Sequence, residues 1–110
     1  MSHSQVTEEQ IRAIARRIGE QPGVVQVWLF GSHATGTAGP DSDVDLLAVY
    51  EEEPESPIRA MQELRRLFRP SCIPMDLLVM GRERFERRRG VVGTLANMVA
   101  YDGRVIHERA

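Results

Sequence analysis

No lysine occurs in the chain: all fourteen of its cationic residues are arginines. A lysine-centred phosphate loop and a Schiff-base lysine are thereby excluded. Cysteine is almost absent too. Cys72 alone can form no internal disulfide and lacks the neighbours of a metal cluster. It reads as a small semi-buried residue in a protein of a reducing compartment, so the expected localisation is cytoplasmic. No apolar run approaches the roughly 20 residues that span a bilayer, and Met1 to Glu9 has no apolar signal core. A soluble protein without membrane contact is expected. An excess of one charge is also lacking, since the formal net charge is -2. Acids gather at Glu51, Glu52, Glu53 and Glu55, and the one basic cluster, Arg87 to Arg89, is interrupted by Glu83 and Glu86. Direct nucleic-acid binding is not expected from that balance.

With 110 residues, 42% hydrophobic and 27% charged, the chain has the size and composition of one globular domain spanning 1–110. Thr7-Glu8-Glu9-Gln10 matches a capping box, and Ile11, Ile14, Ala15 and Ile18 follow at helical spacing to about Gly19. Val24 to Phe30 has the β-branched and aromatic composition of a strand. So does Val44 to Tyr50, which starts near Asp43 and turns apolar on both faces, as a central strand does. Ser56 and Pro57 open a helix with the stripe Ile58, Met61, Leu64, Leu67 and Phe68, ending before Pro70. Ile73 to Met80 predicts a third strand and Arg82 to Arg89 a short charged helix. Val91 to Ala100 predicts a helix with Val92, Leu95, Ala96 and Val99 on its core stripe, and Arg104 to Glu108 a short edge strand. The expected class is α/β (α+β): a small mixed sheet of about four strands flanked by about four to five helices.

Between the first two strands, Phe30 to Leu46 combines glycines, hydroxyls and paired carboxylates. Strand positions two apart point the same way, about 6.6 Å apart. Asp43 and Asp45 therefore converge. Asp76 lies inside an apolar strand, where an unpartnered carboxylate costs several kcal/mol. If that strand is adjacent and Asp76 shares the face, three carboxylates meet. At about 7 Å each pair repels by about 2 kcal/mol in an effective dielectric of about 20. A cation is expected among them. Hard oxygen donors favour Mg²⁺ or Mn²⁺, and two such ions about 3.5 to 4 Å apart clamp in-line phosphoryl or nucleotidyl displacement. Gly31-Ser32 adds close backbone approach, a hydroxyl and an amide where a helix would begin, which suits phosphate. A calcium loop on Asp41, Asp43 and Asp45 fails, because its sixth position must be glycine and is Leu46.

Gly31-Ser32, ten intervening residues, Asp43-Val44-Asp45-Leu46 and then Asp76 form a specific pattern. With Ala34-x-Gly36, Ser42, Phe85-Glu86-Arg87 and Gly103-Arg104-Val105, the chain resembles a minimal nucleotidyltransferase (MNT) domain of the DNA polymerase β-like nucleotidyltransferase superfamily. Such domains often partner a HEPN-domain toxin as its antitoxin. The resemblance implies the nucleotidyltransferase fold, a metal-binding pair at Asp43 and Asp45, and a third ligand at Asp76 that helps deprotonate the acceptor. It also implies phosphate contacts from Gly31, Ser32, His33 and Ser42, with Mg²⁺ (or Mn²⁺) and ATP as cofactor and substrate. His33 stands where the family commonly has a basic residue; it either contacts phosphate when protonated or faces solvent. The implied reaction moves AMP from ATP to a hydroxyl, typically a tyrosine of the HEPN partner, with loss of pyrophosphate. A second possibility from a different class is a binding module that neutralises its partner by contact alone. The acceptor is expected to come from outside the chain. Leu47, Val49, Leu78 and Met80, on the carboxylate face, are expected to be partly exposed and to be covered by a partner or a second copy in a homodimer.

Overall fold

The computed structural model describes residues 6–70 and 73–109, so Cys72 lies outside the described residues. The elements run α1 (Glu8–Gly19), β1 (Val24–Phe30), α2 (Ser32–Thr35), β2 (Val44–Tyr50), α3 (Pro57–Arg66), β3 (Met75–Gly81), α4 (Arg82–Arg88), α5 (Leu95–Asp102) and β4 (Arg104–Glu108). The sheet has the order β3-β2-β1-β4. β1 is antiparallel to β2 and β4, while β2 and β3 are parallel, so the sheet is mixed as expected.

The helix starts follow from the local sequence. Thr7 Oγ1 accepts the Gln10 N–H at 3.1 Å, and Gln10 Oε1 accepts the Thr7 N–H at 2.8 Å. That closes the capping box and fixes the entry of α1. Ser56 Oγ accepts the Arg59 N–H at 3.2 Å, with Pro57 at the first position of α3, where its missing N–H costs nothing.

Two apolar layers sandwich the sheet. On one face, Ile11, Ile14 and Ile18 of α1 and Leu64 of α3 pack on Val27, Leu29, Val44 and Leu46. On the other, Phe85 of α4 and Ala96 and Val99 of α5 pack on Trp28, Phe30, Leu47, Val49 and Met80. β2 is thus a central strand covered on both sides, and each fully buried Val, Leu or Phe contributes roughly 1.5–3 kcal/mol.

Three expectations are corrected. Leu47 and Val49 are fully buried and Met80 is 8% exposed, with Leu78 half-buried. The chain covers this face itself: the charged segment Arg82–Arg88 sends one apolar side chain, Phe85, inward, its ring 5.2 Å from that of Trp28. An exposed apolar sheet is therefore no argument for a partner. The last helix begins at Leu95, where Thr94 Oγ1 accepts the Asn97 N–H, and not at Val91. Gly93 turns the chain at φ +92° just before it, leaving Val92 88% exposed and outside the core stripe. Finally, β3 runs Met75–Gly81 instead of Ile73–Met80, because the Pro74 carbonyl accepts the Val44 N–H and ladder pairing starts one residue later. Among the described residues, no helix is long and apolar enough to cross a membrane.

Candidate active site

At the end of β1 the chain turns at Gly31, with φ +75° and ψ -158°, a conformation an L-residue rarely adopts. A Cβ at this position would also collide with Asp45 Oδ2. Glycine is thus required twice, for the turn and for the space beside a carboxylate. The Gly31 carbonyl accepts the Ala34 and Thr35 N–H groups at 3.0 and 3.1 Å, which winds the single turn of α2. The amides of Ser32 and His33 head that turn, where helical geometry supplies no intrahelical acceptor.

β2 carries the acidic residues at its head. Asp45 is opposite Phe30 of β1 and Asp76 of β3 in the two ladders. Register neighbours on parallel strands share a face, so Asp45 and Asp76 stand on the same side, which meets the condition set for the carboxylates to gather. The same side carries Leu47 and Leu78 further along, under the α4 and α5 layer. Asp43 lies one residue before the strand and is exposed. The Asp45 carboxyl is held above the usual carboxylate range, first by burial and then by the negative charges of Asp76 and Asp43, while His33 pulls it down. Asp43, Asp76 and His33 are therefore all electrostatic neighbours of Asp45.

The remaining sequence-predicted residues serve the loop. His33 is half-buried, with Nε2 3.3 Å from the Ser42 carbonyl oxygen, so it folds onto the loop instead of facing solvent. Ser42 Oγ accepts the Gly39 N–H at 2.8 Å, and the Ser42 N–H returns to the Gly39 carbonyl at 3.2 Å. Its hydroxyl oxygen thus closes the turn that delivers Asp43.

Sequence reasoning missed Arg65. From α3 its Nη2 reaches within 3.7 Å of Asp76 Oδ1, both side chains being about half exposed. Nothing in the spacing of a solvated helix face reveals which distant carboxylate an arginine will meet. Among the described residues, no three His, Cys, Asp or Glu side chains are so grouped that they could hold a metal ion as they stand. The donor set nevertheless suits one: three carboxylates offer hard oxygens to Mg²⁺ or Mn²⁺, and burial with like-charge repulsion at Asp45 rewards a cation there. A cleft of about 350 Å³ lined by Tyr50, Arg59, Glu63 and Leu64 lies at the far end of β2 and does not include the carboxylates.

A mixed four-stranded sheet with Asp-x-Asp at the head of a central strand, faced by a Gly-Ser turn, defines the class as a small nucleotidyltransferase-like α/β domain. Residues 9–102 match the family model of the nucleotidyltransferase domain, and the chain belongs to that family. No curated protein gives a significant match. Among solved structures, a candidate nucleotidyltransferase from Sulfolobus solfataricus is similar with a TM-score of 0.62 and 22% identity, over 90% of this chain and 78% of that one. A toxin–antitoxin structure with AMP-PNP is similar with a TM-score of 0.64 and 20% identity, over 89% and 73%. The toxin–antitoxin MntA–HpeT, in a variant with two aspartates two positions apart changed to glutamate, gives a TM-score of 0.62 and 20% identity over 94% and 74%. These likenesses show the shared fold.

Proposed function

We propose that this chain transfers AMP from ATP to a hydroxyl on a partner protein, a tyrosine of a HEPN-domain toxin, and so acts as its antitoxin. The observation that carries this reading is the pairing of Asp45 with Asp76 across β2 and β3, with Asp43 adjacent and the Asp45 carboxylate packed directly against Gly31. Asp43, Asp45 and Asp76 would hold the divalent ions, which supply charge neutralisation of the triphosphate and of the leaving pyrophosphate. Gly31 and Ser32 receive phosphate oxygens through backbone amides and the Ser32 hydroxyl, and His33 adds a positive charge when protonated. Asp76, half exposed, takes the proton as the acceptor oxygen forms its bond to the α-phosphorus. The bond from that phosphorus to the bridging oxygen breaks, and pyrophosphate leaves with the electron pair.

The family match supports nucleotidyl chemistry. The AMP-PNP of one similar structure is an ATP analogue, and the paired aspartates altered in another have the spacing of Asp43 and Asp45. Both similar structures are toxin–antitoxin pairs, which supports a toxin as partner. α-Labelled and γ-labelled ATP test the reading. With Mg²⁺ and a HEPN-domain protein supplied as the partner, label is expected to enter that protein from the α position only. Label from the γ position would make the reaction phosphoryl transfer. The contact-only alternative is favoured by one observation, that the carboxylates are not grouped to hold a metal ion as they stand; it predicts neutralisation with no label from either position.

A further inference from the structure

Of the ion pairs among the described residues, one alone involves any of the three carboxylates, that of Arg65 with Asp76. Arg65 sits on α3, which packs on the opposite face of the sheet from Asp76, since Leu64 belongs to the Ile11 and Leu46 layer. β3 is the sheet's edge strand, so the guanidinium passes around that edge to reach the carboxylate. With N to O at 3.7 Å and both partners half exposed, the pair is loose and solvated. Such a pair is a weak stabiliser and a readily exchanged one.

We propose that Arg65 is a built-in counter-ion that competes with divalent metal for Asp76, so that filling the site requires the Arg65–Asp76 pair to give way. The inference rests on the reading of Asp43, Asp45 and Asp76 as divalent-ion ligands. Three negative charges on one shelf repel, and without a metal something positive must sit near them; Arg65 supplies that charge at Asp76 from outside the cluster. It also accounts for Asp45 and Asp76 sharing a face while no three donors among the described residues are grouped to hold an ion. When metal takes the Asp76 oxygen, Arg65 is released at the rim of the site. Arg65 is thus a positioning residue, acting on the site through Asp76.

Binding of Mn²⁺ alone to the full chain, followed by titration calorimetry or by the electron spin resonance signal of the free ion, tests this. Arg65→Gln is expected to tighten Mn²⁺ binding about three- to fivefold, the size of a solvated ion pair. Arg65→Lys, which keeps the charge, is expected to stay near wild type, and so is Arg66→Gln, which removes a positive charge from the next position on the same helix. A merely structural role for Arg65 would weaken binding in Arg65→Gln. Unchanged or weaker binding in Arg65→Gln, with wild type binding Mn²⁺ and Asp43→Asn/Asp45→Asn not, overturns the counter-ion role and leaves the nucleotidyltransferase reading standing. Saturable binding by none of the variants overturns that reading as well. Binding that appears only in Arg65→Gln supports the competition in its strongest form.

Discussion

The Cα hydrogen of Gly31 fills the place that a side chain would need beside Asp45 Oδ2, so the turn ending β1 and the carboxylate on β2 are built against each other. Gly31→Ala meets two penalties, a backbone at φ +75° and a collision with Asp45. A stability loss of about 1–3 kcal/mol is expected, read from the urea midpoint at constant slope. Adding Asp45→Ala is expected to recover the part due to the collision and not the part due to the backbone, so the two changes should be clearly non-additive.

Asp45 is expected to weaken the fold at neutral pH. Burial, then Asp76 and Asp43, raise its folded pKa above the unfolded value, so on acidification the folded protein takes up this proton before the unfolded one. The ionised carboxylate therefore costs stability at pH 7, and the cost is relieved as pH falls through the folded pKa. Asp45→Asn should therefore raise the Tm at pH 7. The gain should shrink on acidification towards the ordinary aspartate range. A scan of Tm against pH for both proteins checks it, and a gain that grows towards acid contradicts it.

Phe85 is the single apolar anchor of α4, fully buried and 5.2 Å from the chain's one tryptophan. Phe85→Ala should cost about 3–5 kcal/mol, much of the stability of an ordinary small domain. With the cover over Leu47, Leu78 and Met80 loosened, the emission of Trp28 should shift to longer wavelength at a lower urea concentration than in wild type. An unshifted midpoint would mean that α4 does not hold this layer.

Much of this was legible in the sequence where the signal is local. The Thr7 to Gln10 capping box, the Ser56-Pro57 start and the β-branched run Val24 to Phe30 each act within a few residues, and each element appears where those residues put it. Alternation grouped the residues of each strand by face, but that Asp45 and Asp76 share one was a condition left open until the register set Asp45 opposite Asp76. What failed depends on tertiary partners. The cover over Leu47 and Val49 comes from one phenylalanine in a charged helix and from α5, whose start at Leu95 is set by Thr94 and the Gly93 turn instead of by apolar spacing. The contact of the His33 ring with the Ser42 carbonyl and the long-range meeting of Arg65 with Asp76 follow from how the loop and α3 fold, for which no periodicity exists.

The central claim, that the carboxylates on the head of β2 act by chemistry on a partner, is tested most directly by the Asp43→Asn/Asp45→Asn double variant. The partner toxin is incubated with ATP, Mg²⁺ and either wild type or the variant, and both its intact mass and its residual activity are measured. Wild type is predicted to add AMP to the partner and silence it, while the variant, still folded and still bound, adds nothing and leaves it active. Neutralisation by the variant equal to that by wild type, with no gain in mass, would contradict the account and leave a protein that works by contact alone.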